Sequence, residues 1–116
     1  MKFMLLIRAP TGSRPEPGTP GFTEESASYR AFTEQVIEAG VFVTGDRLEP
    51  AADGVVVRVR NGQVFSDDKP PGPHPNELGG YYVLDCRDMA EAAGWAGRIP
   101  TANYGSIEVR PSRLLH

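Results

Sequence analysis

Two titratable side chains are the best candidates for acid–base chemistry in this sequence, His74 and Asp46. A general acid or base must titrate near the working pH and lie in a cleft. The unperturbed pKa of histidine already lies near neutral pH. His74 lies in a proline-rich segment, where the alternative is an exposed loop residue, and His116 is terminal. Asp46 follows Gly45 near the end of a predicted strand, where the alternative is a turn carboxylate bonded to backbone amides. We therefore name Asp46 and His74 as catalytic candidates.

Four further side chains are candidates for holding a ligand. Arg8 lies just past the first predicted strand and could bind a carboxylate through two parallel hydrogen bonds, while Arg47 directly follows Asp46. Tyr29 lies on the first predicted helix, and Tyr104 precedes the last predicted strand. The alternatives are a solvated arginine at a strand end and aromatic side chains packed in the core or in an interface. The ligand that these residues would suit is a small organic acid.

Several kinds of site are not indicated. His74 and Glu77 are two potential metal ligands without a third, so we expect no metal site. Gly79-Gly80 leads into a predicted strand rather than a helix, so it lacks the helix N-terminus of a phosphate-binding loop. We expect no cofactor. Twelve basic and fifteen acidic residues give a formal charge of −3, which argues against a nucleic-acid surface.

Apolar runs and cysteine content indicate the compartment. The longest strongly apolar run, residues 3–7, is too short for a membrane span or for the core of a signal peptide. We therefore expect no membrane association and a cytoplasmic location. Cys86 is the only cysteine, so no intramolecular disulfide can form. Its position at the end of an apolar strand favours a buried, inert thiol, and the alternative is a reactive thiol beside Arg87.

Apolar patterns, separated by segments that contain Gly and Pro, predict the strands and helices that position these residues. Strands are predicted at residues 3–7, 41–49, 55–60, 63–65, 79–86 and 105–110. Helices are predicted at about 24–39, capped by Thr23, and from Asp88, with Glu91 three residues on, to before Pro100. Asn61-Gly62 is a hairpin signal. The proline-rich segments 10–21 and 69–75 are predicted loops, either lids or spacers.

This order predicts a single domain over residues 1–116. It is an α+β fold, a ferredoxin-like βαββαβ sandwich with a mainly antiparallel sheet and a small hairpin extension. Successive residues are apolar throughout 3–7, 55–57 and 81–84, so strands there present apolar side chains on both faces. Two helices cover one face of such a sheet, and an uncovered apolar face would be unusually large for a monomer. We expect a homodimer formed by sheet-to-sheet packing, with coverage by long loops as the alternative.

Several segments together resemble a known family over nearly the whole chain. They are Met1–Ile7, Tyr29–Thr33, Gly40-Val41 with Gly45, Leu48 and Pro50, Val57–Gly62, Leu78–Tyr82, Trp95-Ala96 and Tyr104–Pro111. Their order and spacing are similar to those of the YCII-related family, in particular its DGPF-type branch. The resemblance implies the dimeric α+β barrel arrangement.

The resemblance implies less about activity. Relatives include muconolactone-isomerase-like enzymes, some YCII-related members resemble enzymes that use a His and an Asp at the dimer cleft, and DGPF-type members resemble accessory proteins of extracytoplasmic-function sigma factors. In this sequence the DGPF signature falls on Asp68–Pro71, which keeps Asp and Pro but loses Gly and Phe. The family's helix His would fall near Ser28 or Tyr29, and no His precedes His74.

Two functional hypotheses follow, and the sequence leaves open whether the protein is an enzyme. The first is a dimeric small-ligand-binding or accessory module without catalysis, linked to sigma-factor regulation. The alternative is an enzyme acting on a small carboxylate or lactone-like substrate at the dimer cleft, with Asp46 and His74 as acid–base groups and Arg8 as substrate anchor.

Overall fold

A computed structural model describes residues 1–67 and 76–115 of the chain. Its strands are β1 (Lys2–Pro10), β2 (Phe42–Arg47), β3 (Val56–Arg60), β4 (Gln63–Asp67), β5 (Asn76–Asp85) and β6 (Ser106–Ser112), and its helices are α1 (Pro20–Glu38) and α2 (Met89–Ala96). None of the helices in these two ranges is both long enough and apolar enough to cross a membrane.

The main sheet has four antiparallel strands in the order β2-β5-β1-β6. This order, with one helix between β1 and β2 and another between β5 and β6, is the ferredoxin-like arrangement that the sequence predicts. A register shift between Ile7 and Arg8 interrupts the pairing of β1 with β5 beside the glycine pair of β5. The predicted α+β fold class is confirmed.

The core lies between the helices and one face of this sheet. Phe3, Leu5 and Ile7 alternate along β1 and are buried, as are Tyr82 and Leu84 on β5. The cluster continues into α1 and α2 through Phe32, Val36, Ala92 and Ala96. Burial of an aliphatic side chain such as Leu5 stabilises the fold by roughly 1.5–3 kcal/mol. Period-2 alternation in the strands therefore fixes which side chains face the helices.

The opposite side of the main sheet, here called the open face, is also apolar. Met4 and Leu6 of β1 and Tyr81 and Val83 of β5 are only half-buried there. The two-sided pattern predicted for residues 3–7 and 81–84 is therefore confirmed. The prediction was wrong to count residues 55–57 with them, because these belong largely to β3, which pairs with β4 in a separate sheet and, among the described strands, with no other.

The hairpin β3–β4 forms a separate two-stranded sheet. Its turn residues Asn61 and Gly62 have φ of 51° and 76°, in the left-handed region that this dipeptide tolerates well. The predicted hairpin extension is thus confirmed. Val57, Val59 and Val64 lie on one of its faces and are more than half exposed.

The predicted start of the first helix was wrong. Its N-cap is Thr19, whose Oγ1 accepts a hydrogen bond from the Phe22 N–H at 3.2 Å, rather than Thr23. Pro20 was read as part of a loop over residues 10–21, but it occupies the first helical position, where its fixed φ suits a helix and its missing N–H costs nothing. The first helix is therefore a full turn longer at its beginning, and the loop is shorter.

The second helix begins as predicted. Asp88 caps it, with Oδ1 accepting from the Glu91 N–H at 2.9 Å. Several strand limits differ from the prediction by a few residues. In particular, β6 continues through Pro111, which is tolerated because β6, among the strands that the structure describes, lies at an edge of the main sheet beside β1. The predicted loop at residues 69–75 lies outside the described residues.

Candidate functional site

A cavity of about 310 Å³ lies between α1 and the side of the main sheet that faces the helices. Its volume is in the range of small-molecule sites. One stripe of α1 at helical spacing forms one wall, consisting of Phe22, Glu25, Ser26, Tyr29 and Thr33. The opposite wall comes from β2, from the middle of β5 and from the loop before α1.

Glycines keep the floor of the cavity open. A Cβ atom on Gly45 would lie 2.8 Å from the Tyr82 ring, and one on Gly80 would lie 2.9 Å from the Asp46 carbonyl oxygen. Backbone cannot move aside as a flexible side chain can, so Gly80 admits no larger residue without displacing β2. The glycine pair that the sequence singled out as a strand entry therefore lies within β5 and shapes the cavity.

Two arginines bring positive charge to the strand side of the cavity. The Arg47 guanidinium lies over the Phe22 ring, with Cζ 5.0 Å from the ring centroid, which is cation–π geometry. Arg14 Nη1 donates to the Gly79 carbonyl oxygen at 3.3 Å. Across residues 1–67 and 76–115, neither arginine has a carboxylate within ion-pair distance. Neither guanidinium is therefore held in a salt bridge by a described carboxylate, although Glu25 and Asp46 also line the cavity.

The helix side carries a carboxylate held by a hydroxyl network. Tyr104 Oη donates to Glu25 at 3.0 Å from Oε1 and 2.9 Å from Oε2, and Thr101 Oγ1 donates to Oε1 at 3.4 Å. Tyr29 Oη lies 2.5 Å from Thr101 Oγ1. Each hydroxyl has a single proton, and either of the two hydroxyls can be the donor in the bond between Tyr29 and Thr101.

Tyr29 is protonated at neutral pH. Burial raises the pKa of Tyr29 to about 12, the bond to Thr101 opposes this in part, and the Glu25 charge adds to it. The sequence suggested a tyrosine that could donate to a ligand or form a wall of the cleft. Tyr29 lines the cavity, and its hydroxyl is engaged in the hydrogen bond to Thr101.

Three predicted ligand-binding residues lie at or beside this cavity. Tyr29 and Arg47 line it, and Tyr104 reaches Glu25, which lines it too. They come from α1, β2 and the turn before β6, so only the fold brings them together. Their roles in binding remain predictions.

Two other predicted site residues bond on the open face. The Asp46 carboxylate accepts a hydrogen bond from Tyr81 Oη at 2.9 Å, and this bond is the main cause of the raised pKa of Tyr81. Arg8 Nε lies 3.7 Å from Glu108 Oε1. Asp46 also borders the cavity, whereas Arg8 does not. A dimer cleft formed by sheet packing would lie on this face, so the roles of Asp46 and Arg8 there stay predictions.

His74 and the signature residues at 68–71 lie outside the described residues. The proposed pairing of His74 with Asp46 therefore stays a prediction. In the described ranges, no three His, Cys, Asp or Glu side chains are grouped as a metal ion would require.

Among the residues that form the charges and the hydroxyl network of the site, sequence reasoning missed Arg14, Glu25 and Thr101. The predicted helix began at about residue 24, so Glu25 fell in its first turn. Its spacing from Phe22 and Tyr29 on one helix face was the signal that could have placed it at a cavity. Thr101 is 1% exposed, and nothing in the sequence near it indicates that it meets α1.

The sheet order and the two helices on one face define a ferredoxin-like α+β protein with a ligand-sized cavity under its first helix. The chain belongs to the YCII-related domain family, whose sequence model matches residues 1–114. Its place in the DGPF-type branch stays a prediction. A relative in Rhizobium meliloti, an uncharacterised protein, is 33% identical over 86 residues, covering 72% of this chain and 69% of the relative.

The fold is shared with a solved enzyme structure. 5-chloro-2-hydroxyhydroquinone dehydrochlorinase (TftG) from Burkholderia phenoliruptrix, solved with 2,5-dihydroxybenzoquinone, matches with a TM-score of 0.55. The match covers 97% of this chain and 94% of the enzyme at 14% sequence identity. At this identity the likeness establishes the fold alone.

Proposed function

We propose that this protein binds a small organic acid in the cavity between α1 and the main sheet. The observation that carries the proposal is the pair of arginines, Arg14 and Arg47, at a cavity of about 310 Å³ with no carboxylate partner in the described chain. A guanidinium in a partly enclosed site favours a carboxylate, which it can meet through two parallel hydrogen bonds.

The shape and lining of the cavity favour a flat ligand. Phe22, Phe42 and Tyr82 supply aromatic surface, while the glycines of β2 and β5 leave the floor without side chains. A six-membered ring with one or two substituents suits such a space. The structural neighbour was solved with 2,5-dihydroxybenzoquinone, a ring of this size, which supports choosing ring-shaped probes.

We also propose that the protein is a homodimer whose subunits pack through their open faces. The half-buried apolar residues Met4, Leu6, Tyr81 and Val83 support this, since they form a continuous patch across β1 and β5. Such packing would place Asp46 and Arg8 at the interface.

Catalysis at that interface by Asp46 and His74, a regulatory link to sigma factors and a cytoplasmic location stay predictions. Of the two functional hypotheses, the binding module is the one that the cavity supports. It requires no described residue to act as an acid or a base.

Calorimetric titration with benzoate at neutral pH tests the proposed function. The full-length protein should bind benzoate, and Arg47→Gln should weaken binding by about tenfold or more, as expected for loss of a hydrogen-bonded charge partner. Arg30→Gln is the matched control, because Arg30 is an exposed residue of α1 that does not line the cavity. Absence of binding, or equal weakening by both substitutions, would refute the proposal.

A further inference from the structure

We infer that the ligand carries a hydroxyl group besides its acidic group, and that Glu25 accepts a hydrogen bond from this hydroxyl. The ligand class is then a hydroxylated aromatic or enolic carboxylic acid. This inference rests on the proposed function and specifies which small organic acids the cavity selects.

The hydroxyl network around Glu25 carries the first step. Tyr104 donates to Glu25, Thr101 Oγ1 lies 3.4 Å from Glu25 Oε1, and Tyr29 shares a hydrogen bond with Thr101 in which either hydroxyl can be the donor. Each of these hydroxyls has a single proton, and an ionised carboxylate only accepts. What Glu25 can offer to a ligand is therefore lone pairs.

The Glu25 carboxylate has acceptor capacity left. A carboxylate has about four lone-pair sites. Tyr104 contributes one proton, shared between Oε1 at 3.0 Å and Oε2 at 2.9 Å, and Thr101 contributes a longer bond to Oε1. At most two protons therefore serve about four sites, and Glu25 lines the cavity. A hydrogen-bond donor on the ligand would occupy a remaining lone pair of the Glu25 carboxylate.

Charge sets the orientation of the ligand. Glu25 and Tyr29 lie on α1, whereas Arg47 is the last residue of β2 and Arg14 is bonded to the Gly79 carbonyl oxygen of β5. An anionic group is attracted to the arginines and repelled by Glu25, so the neutral hydroxyl is the group that meets Glu25. The site would thereby distinguish hydroxylated acids from plain or methylated ones.

Calorimetry with matched ligands tests this selection. The probes are 3- and 4-hydroxybenzoate, benzoate, and the methyl ethers of the two hydroxybenzoates, which keep the ring and lose the donor. In the unmodified protein at least one hydroxybenzoate should bind about tenfold more tightly than benzoate and than its own ether, as a hydrogen bond to a charged group predicts. The preference should shrink to about threefold or less in Glu25→Gln, because a neutral amide is a weaker acceptor.

Glu24→Gln is the matched control, since Glu24 is the adjacent, exposed carboxylate and does not line the cavity. It should leave the preference unchanged. If Glu25→Gln is unfolded by circular dichroism, Glu25→Asp decides instead. It keeps the charge but withdraws the carboxylate by one methylene, so the preference should again fall.

The possible failures are distinguishable. If hydroxybenzoates and benzoate bind equally well while Arg47→Gln weakens both, this inference is overturned and the proposed function stands. If the hydroxyl preference survives in the Glu25 variants, the role of Glu25 is overturned. If no probe binds the unmodified protein, the proposed function fails with the inference.

Discussion

Tyr29 Oη lies 2.5 Å from Thr101 Oγ1, a hydrogen bond that joins the middle of α1 to the turn after α2. Thr101 is 1% exposed and carries this bond together with its bond to Glu25. The same contact therefore orients the cavity wall and ties two parts of the fold together.

Removing this contact should destabilise the protein measurably. Thr101→Val leaves the Tyr29 hydroxyl without its partner, which should lower the free energy of unfolding by about 1–3 kcal/mol. Tyr29→Phe should lower the free energy of unfolding by less, about 0.5–1.5 kcal/mol, because Thr101 keeps its hydrogen bond to Glu25. Urea unfolding of both variants and of the double variant measures the coupling. Strict additivity of the two effects would show that the hydroxyls do not interact.

Alkaline pH should weaken the fold through Tyr29. Its pKa is raised from 10.0 to about 12 by burial, so the folded state favours the protonated form. A raised pKa contributes stability that is complete below pH 10 and is lost as the pH rises towards 12. Burial also raises the pKa of Tyr82 and Tyr104. Cys86 contributes from a lower pH, because its pKa is raised from 9.0 to about 11, so the free energy of unfolding should decline above about pH 9.

Tyr29→Phe is the test variant, since its decline above pH 10 should be shallower by about 2 kcal/mol. Chemical denaturation across this pH range supplies the measurement. An identical decline in both proteins would mean that Tyr29 does not contribute to it.

Cys86 should react slowly with thiol reagents in the folded protein. It is 2% exposed, which confirms the predicted burial, and this burial, with the Glu91 charge, raises its pKa to about 11. Thiolate is the reactive form, so the folded protein at pH 8 should react at least about 100-fold more slowly than the protein in urea. Absorbance of the reagent measures both rates. Equal rates would contradict an inert thiol.

A charged side chain introduced on the open face should dissociate the proposed dimer. Leu6 lies in the middle of β1, beside Tyr81 and Glu108 on the neighbouring strands. Leu6→Glu should convert the protein from dimer to monomer in sedimentation at micromolar concentration, because a charge would be buried unpaired between two sheets. Ile37→Glu is the control, since Ile37 is exposed on α1. A monomeric unmodified protein would end the dimer proposal.

Most of the fold could be predicted from local patterns. Alternation in β1 and β5, the Asn61-Gly62 turn and the Asp88 cap each depend on a few neighbouring residues, so sequence reasoning reached them. The start of α1 was missed because Pro20 was read as a breaker, whereas at the first helical position it suits a helix.

The site was less predictable than the fold. Tyr29, Arg47 and Tyr104 were named as single candidates, but their association depends on how α1 lies over β2 and β5. Glu25 and Thr101 are in contact although they lie 76 positions apart in the sequence, and no local pattern predicts this contact. Tertiary packing alone determines such pairs.

A crystal structure of the protein soaked with 4-hydroxybenzoate shows whether the cavity under α1 holds the ligand. We expect density for the ring in this cavity, beside Phe22 and Tyr82, with the carboxylate bonded to Arg47 or Arg14. Density confined to the open face beside Arg8 and Asp46, or an empty cavity at saturating ligand, would contradict this expectation.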